Sequence, residues 1–207
     1  MALFRPLLSL LLALAFTVPA RAGGGPLGID HRVTLDESGI WSRSVQNGLV
    51  YSLVAGSAGL ALWEGGDTRL GKTAWQSVDA LLVNTVTVTA LKMAFSRVRP
   101  IDSNNPDLWF QGHGNASFPS GEVSTTTAIV TPLMLEYGPD QPLVYALALL
   151  PAYDAVARVK SQGHWQTDVL AGMALGAGIG YLMHQRDTPL TLSVLPQGFH
   201  VGFNKRW

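Results

Sequence analysis

The chain has 207 residues, no cysteine, and 14 basic against 14 acidic side chains. A neutral balance argues against a nucleic-acid binder, which needs a basic face, and the lack of thiols excludes disulfides and cysteine chemistry. Charged residues make up only 14% of the chain against roughly 25% in an average soluble domain. That points to a single domain that sits in a membrane or packs as a tight helical bundle.

Residues 1–22 read as a secretory signal: Arg5 starts it, Leu7 to Val18 is apolar, and Ala20-Arg21-Ala22 is a small-x-small cleavage site. An uncleaved first membrane helix is the alternative, and either way the next segment begins outside the cytoplasm. Residues 23–44 read as a linker, Gly-rich at first and then polar and irregular. Residues 45–186 form the helical domain. Val45 to Trp63 is uncharged, with Ala55, Gly56, Ala58 and Gly59 suited to close packing, and Glu64-Gly65-Gly66-Asp67 stops it. Ser77 to Phe95 is helical in pattern yet holds Asp79, Asn84 and Lys92. Arg97 to Pro119 reads as a loop. Glu122 to Tyr137 is the next helix, and Leu143 to about Lys160 follows with a kink expected at Pro151. The last helix is expected from about His164 to His184, with Gly172, Gly176 and Gly180 on one face. In residues 187–207 two alternating runs around Pro196-Gln197-Gly198 predict a short β-hairpin.

The expected fold is therefore an all-α bundle of five to six helices with a C-terminal hairpin. The uncharged runs reach toward the roughly 20 residues of a bilayer span, which favours transmembrane helices over a soluble periplasmic bundle. The loop with Arg69 and Lys72, together with Arg186, matches the positive-inside bias if that end faces the cytoplasm.

Chemistry collects in three stretches. Lys92 on the last turn of an apolar helix needs an anionic partner or a route to the surface, and Arg99-Pro100 follows it. Phe118-Pro119-Ser120-Gly121-Glu122 opens a helix, where Ser120 can cap and the free N–H groups suit an anion. Arg158 precedes His164, and Asp168 follows four residues later, within reach of the imidazole if both share a helix face. Singly, each stretch has an ordinary structural reading. With helices alternating in direction, all three fall at one end of the bundle. Lys92, Arg99, Arg158 and the Ser120–Gly121 amides would then surround one phosphate, with His164 aimed at phosphorus.

The order Lys-x6-Arg-Pro, Pro-Ser-Gly, Arg-x5-His-x3-Asp over residues 92–168 resembles the type 2 phosphatidic acid phosphatase and vanadium haloperoxidase superfamily. The resemblance implies a helical fold in which Lys92, Arg99, Ser120, Gly121 and Arg158 hold phosphate. It further implies that His164 attacks phosphorus to form a phosphohistidine, with Asp168 orienting its ring. Neutral imidazole is a competent nucleophile near pH 7, and cations meet the charge on the equatorial oxygens. No metal ligand set is visible and no cofactor is required.

Two positions depart from that pattern. Ala157 stands where the family has serine. Glu122 stands where it has the histidine that protonates the leaving group. Three readings of Glu122 are open: a working acid with a raised pKa, an acid replaced by His113 in the preceding loop, or an impaired site that binds phosphoryl headgroups without turnover. The leading expectation is a cell-envelope phosphatase that cleaves phosphomonoesters or pyrophosphates. It favours lipid phosphates at the periplasmic face of the inner membrane. A soluble periplasmic acid phosphatase is the variant, and vanadate-dependent halide oxidation is disfavoured in so short a chain. Trp109, Phe110 and Trp165 are candidates for acyl or headgroup contact, or for anchoring at the membrane interface.

Overall fold

A computed structural model describes residues 23–191 apart from His113; the expected signal segment lies outside the described residues. Five α-helices follow in order: α1 (Arg43–Glu64), α2 (Arg69–Phe95), α3 (Gly121–Tyr137), α4 (Leu149–Lys160) and α5 (Gln166–His184). Short 3-10 turns span Gly39–Trp41 and Pro142–Ala148.

Several boundaries differ from the sequence reading, each for a local reason. α2 begins at Arg69 rather than Ser77 because the Thr68 side chain caps it, accepting the Gly71 N–H at 2.9 Å. The run expected as one kinked helix from Leu143 is a 3-10 turn followed by α4. Pro151 falls in the first turn of α4, where no intrahelical N–H is required. α5 begins at Gln166, which leaves His164 in the preceding loop. The predicted hairpin would begin at Leu190. Instead residues 190 and 191 are helical, their N–H groups donating to the Asp79 carboxylate of α2 at 2.5 and 2.9 Å. The remainder of that hairpin lies outside the described residues.

α3 and α5 approach most closely. A Cβ on Gly172 would stand 2.6 Å from the Ser120 carbonyl oxygen, and one on Gly176 would stand 2.2 Å from that of Ser124. One on Gly180 would stand 2.6 Å from Thr131 Cβ. The stripe of small residues is thus the seam that presses the start of α3 against the start of α5.

The interior is unusually polar. Ser77, Asn84, Ser124, Thr126, Thr127 and Thr131 are buried between helices. Ser77 Oγ donates to the Ile129 carbonyl of α3 at 2.9 Å, and Asn84 Nδ2 donates to Thr125 Oγ1 at 3.1 Å. Large apolar side chains such as Trp63, Leu82, Val86, Met93, Leu149 and Leu182 face outward instead. Among the described residues, three helical stretches, Arg43–Glu64, Arg69–Phe95 and Pro142–Lys160, are long and apolar enough to cross a membrane by length and composition. Only 17, 22 and 28% of their apolar windows is buried within the protein. Small and polar inside with apolar outside is the arrangement suited to a lipid surround.

The stretch expected as a linker packs on the bundle. Asp30 is fully buried and accepts from Arg97 Nη2 and Thr167 Oγ1, both at 2.6 Å, and from the Thr167 N–H at 2.8 Å. The His31 N–H donates to Gln166 Oε1 and the His31 carbonyl accepts from Gln166 Nε2, each at 3.0 Å.

Candidate active site

The last turn of α4 delivers Arg158, and residues 161–165 turn back toward α5. Asp168 sits in the first turn of α5 and reaches back to accept the Trp165 N–H at 2.9 Å, so it caps the helix that His164 was expected to occupy. Helical i,i+4 geometry therefore does not apply to the His164–Asp168 pair. Asp168 Oδ2 lies 3.8 Å from His164 Nδ1, whereas the Ser117 carbonyl oxygen lies 2.6 Å from that nitrogen. The closer partners of the Asp168 carboxylate are Trp165 N, Ser117 Oγ at 2.5 Å and Arg97 Nη1 at 2.6 Å.

A carbonyl only accepts, so Nδ1 carries the proton and Nε2 of the neutral ring is bare. Burial pushes the His164 pKa down to about 4; Asp168 pulls it up, while Arg158 and Lys92 push it down further. At neutral pH the ring is an uncharged base.

His164 lines a cavity of about 650 Å³ together with Lys92, Arg99, Arg158, Gly121 and Glu122. Residues from all three sequence stretches thus meet at one end of the bundle. Lys92 Nζ donates to the Ala116 carbonyl at 2.5 Å, so a neutral acceptor meets the need that the sequence assigned to an anion. Arg158 is 4% exposed and donates through Nη1 to Gln46 Oε1 at 3.1 Å, while its Nε has no hydrogen-bond partner. Gly163 leaves room for the guanidinium: a Cβ there would stand 2.1 Å from Arg158 Nη2 and push that group aside.

The Pro-Ser-Gly turn differs from its expected use. Ser120 is the residue before α3, but its side chain makes no cap, and Oγ is buried without a partner. Its N–H donates to the Asp168 carbonyl at 3.0 Å and is not free for an anion. Gly121 lines the cavity, its small size set by neighbours: a Cβ would lie 3.3 Å from Val88 Cγ1 and 3.5 Å from Lys92 Cε.

Glu122 is gripped by Arg43, with Nη2 to Oε1 at 2.8 Å and Nη1 to Oε2 at 3.0 Å. Arg158 Nε lies 3.8 Å from Oε2. Burial acts to raise the Glu122 pKa, but the Arg43 hydrogen bonds and the Arg158 charge outweigh it and hold the carboxyl below its usual range. This geometry opposes the reading of Glu122 as an acid with a raised pKa. His113, the other candidate acid, lies outside the described residues.

Several residues of this end escaped the sequence reading. Arg43 and Glu37 line the cavity, yet they precede the first helical run and carry no motif. Arg97 is fully buried and bridges Asp30 and Asp168; it stands inside the first motif, where a third cation so near an apolar helix was the available signal. Ser117 had no signal, because the group that matters is its backbone carbonyl. The aromatic candidates separate. Trp165 is fully buried and its indole N–H donates to the Val98 carbonyl at 2.8 Å, and Trp109 stacks under Arg97 at 4.2 Å. Phe110 remains 70% exposed.

A buried neutral histidine facing a cavity lined by Lys92, Arg99 and Arg158 at the end of a helical bundle is an arrangement suited to an anion. The profile of the PAP2 superfamily matches residues 73–190, and the chain belongs to that superfamily. A lipid A 1-phosphatase of Porphyromonas gingivalis is similar, 34% identical over 97 residues; the match covers 46% of this chain and 19% of that relative. The chain thus spans about a fifth of the length of the curated relative it matches. No solved structure matches the chain.

Proposed function

We propose that this protein is a lipid-phosphate phosphatase of the inner membrane that works through a phosphohistidine at His164. The observation that carries the reading is His164 with Nδ1 held by the Ser117 carbonyl, facing a cavity shared with Lys92, Arg99 and Arg158. The bare Nε2 attacks phosphorus, and the three cations meet the equatorial oxygens. Asp168 acts one step back: it holds Ser117 and the start of α5, and so the frame in which the ring sits. Gly121 allows the phosphate to approach the start of α3.

A lipid substrate is supported by the three apolar helices, by the outward-facing side chains and by the name of the relative. Arg69, Lys72 and Arg186 belong to the end opposite the cavity: α1 leaves the cavity at Arg43, the first turn of α2 carries Arg69 and Lys72, and Gln76 bonds the Arg186 carbonyl. The positive-inside bias would put that end in the cytoplasm and the cavity in the periplasm.

The test uses the full chain in detergent micelles, offered phosphorylated lipids and soluble phosphoesters, with phosphate release and trapped phosphoenzyme as readouts. An acid-labile adduct present in wild type and absent in His164→Ala is expected. Equal phosphate release by wild type and His164→Ala would overturn the reading.

A further inference from the structure

Glu122 occupies the position from which the family's histidine protonates the leaving group, yet its geometry is that of a clamp. Both carboxylate oxygens accept from Arg43, at 2.8 and 3.0 Å, and the second also faces Arg158 Nε at 3.8 Å. A proton on either oxygen would neutralise the carboxylate and weaken both charge-assisted hydrogen bonds from Arg43. Arg43 is further steadied by Gln46 Oε1 at 2.5 Å and Asn47 Oδ1 at 3.0 Å. Its side chain is still 37% exposed and lines the cavity. The pair thus presents a fixed cation where the family's acid would stand.

We propose, resting on the phosphohistidine reading above, that Arg43 is a catalytic residue that stabilises the departing oxygen as an anion, with Glu122 as its positioning residue. The Nε2 lone pair of His164 forms the N–P bond. The P–O bond breaks with its electron pair left on the departing oxygen, which the Arg43 guanidinium meets by its charge. That oxygen then takes a proton from water, leaving hydroxide. A second water attacks phosphorus, the P–N pair returns to Nε2, and the proton lost by that water neutralises the hydroxide.

A site built this way selects its substrate by the acidity of the leaving oxygen. An anomeric sugar phosphate, whose departing hemiacetal oxygen is comparatively acidic, is favoured over a simple alkyl phosphate such as a glyceride phosphate. Two further carboxyls are close at hand, Glu37, which lines the cavity, and Asp154. Asp154 differs from Glu37 in its setting: it is fully buried with neither oxygen hydrogen-bonded, and it does not line the cavity.

The experiment measures kcat/KM of the full chain in micelles for 4-nitrophenyl, phenyl and benzyl phosphate and plots it against leaving-group pKa. Wild type is expected to fall steeply along the series. Glu122→His, which restores an acid, is expected to flatten the slope with a gain of ~10²-fold on benzyl phosphate. Arg43→Met is expected to lose ~10²-fold, most on the poorest leaving group, with Arg43→Lys recovering part of it. Asp154→Asn is expected to leave the slope unchanged. A flat wild-type slope that steepens in Glu122→Gln, in Glu37→Gln or in Asp154→Asn would overturn the proposal, since it would identify that carboxyl as a proton donor. An active enzyme with a flat slope sinks this inference alone, whereas release from 4-nitrophenyl phosphate that survives His164→Ala sinks the reading beneath it.

Discussion

Arg97 and Arg158 are both buried, at 0 and 4% exposure, and both help hold the loop that carries His164. Their surroundings differ. Arg97 is saturated: Asp30, Asp168, Thr167 Oγ1 and the Pro106 carbonyl take its N–H groups, and Trp109 stacks on its face. Arg158 has one hydrogen bond to Gln46, a distant carboxylate and an orphaned Nε, and it borders the cavity. A buried polar network with every donor used makes a frame; one with donors to spare keeps binding capacity for a ligand. Charge and burial do not separate these arginines, but hydrogen-bond saturation does.

The contrast is sharpest in their removal. Arg158→Met is expected to cut kcat/KM by ~10³-fold while the protein still folds, because in the proposed mechanism the missing cation belongs to the transition state. Phosphate release together with thermal unfolding in micelles would check it, and equal loss of both would break the distinction. Arg97→Met is expected to lower stability by about 3–5 kcal/mol, since it leaves two buried carboxylates unpaired. Chemical unfolding in mixed micelles measures that loss. Activity retained at low temperature by the folded fraction would support a framing role for Arg97.

Gly163→Ala probes the cavity side more gently. The added methyl must displace the Arg158 guanidinium, and ~10²-fold lower kcat/KM is expected, about 2.7 kcal/mol, with near-normal unfolding. Ser117→Ala probes the frame: it deletes the hydroxyl bonded to Asp168 but keeps the carbonyl that holds His164. About 1–3 kcal/mol of stability should go, with kcat changed less than tenfold. The pH profile gives the smallest effect near neutrality. With the His164 pKa near 4, the nucleophile is unprotonated above that pH. After correction for substrate ionisation, kcat should stay level between pH 7 and pH 6 and fall only as pH drops toward 4. A loss centred near pH 6.5 would mean an imidazole in an ordinary, solvated setting.

Much of the fold could be read from the chain. The helices show as apolar runs ended by glycine and proline, and the Gly172, Gly176, Gly180 stripe marks the face that meets another helix. The clustering of Lys92, Arg99, Arg158 and His164 follows from alternating helix direction, because the connections force these motifs to one end. What could not be read concerns partners. Whether Asp168 touches the imidazole or caps α5 depends on where α5 begins, and Trp165 and Asp168 settle that by a capping bond two residues beyond His164. Whether Ser120 caps α3 depends on α5, whose Asp168 carbonyl takes the Ser120 N–H.

Local sequence thus determined the elements, their order and the residue types able to hold phosphate, because periodicity, helix breakers and charge act over a few residues. Only the tertiary structure decided that Arg43 claims Glu122, that Asp30 and Arg97 brace the histidine loop, and that Ser117 selects the tautomer. Those pairings join residues far apart in the chain, and hydrogen bonds form by position in space. No spacing along a single helix could have specified them.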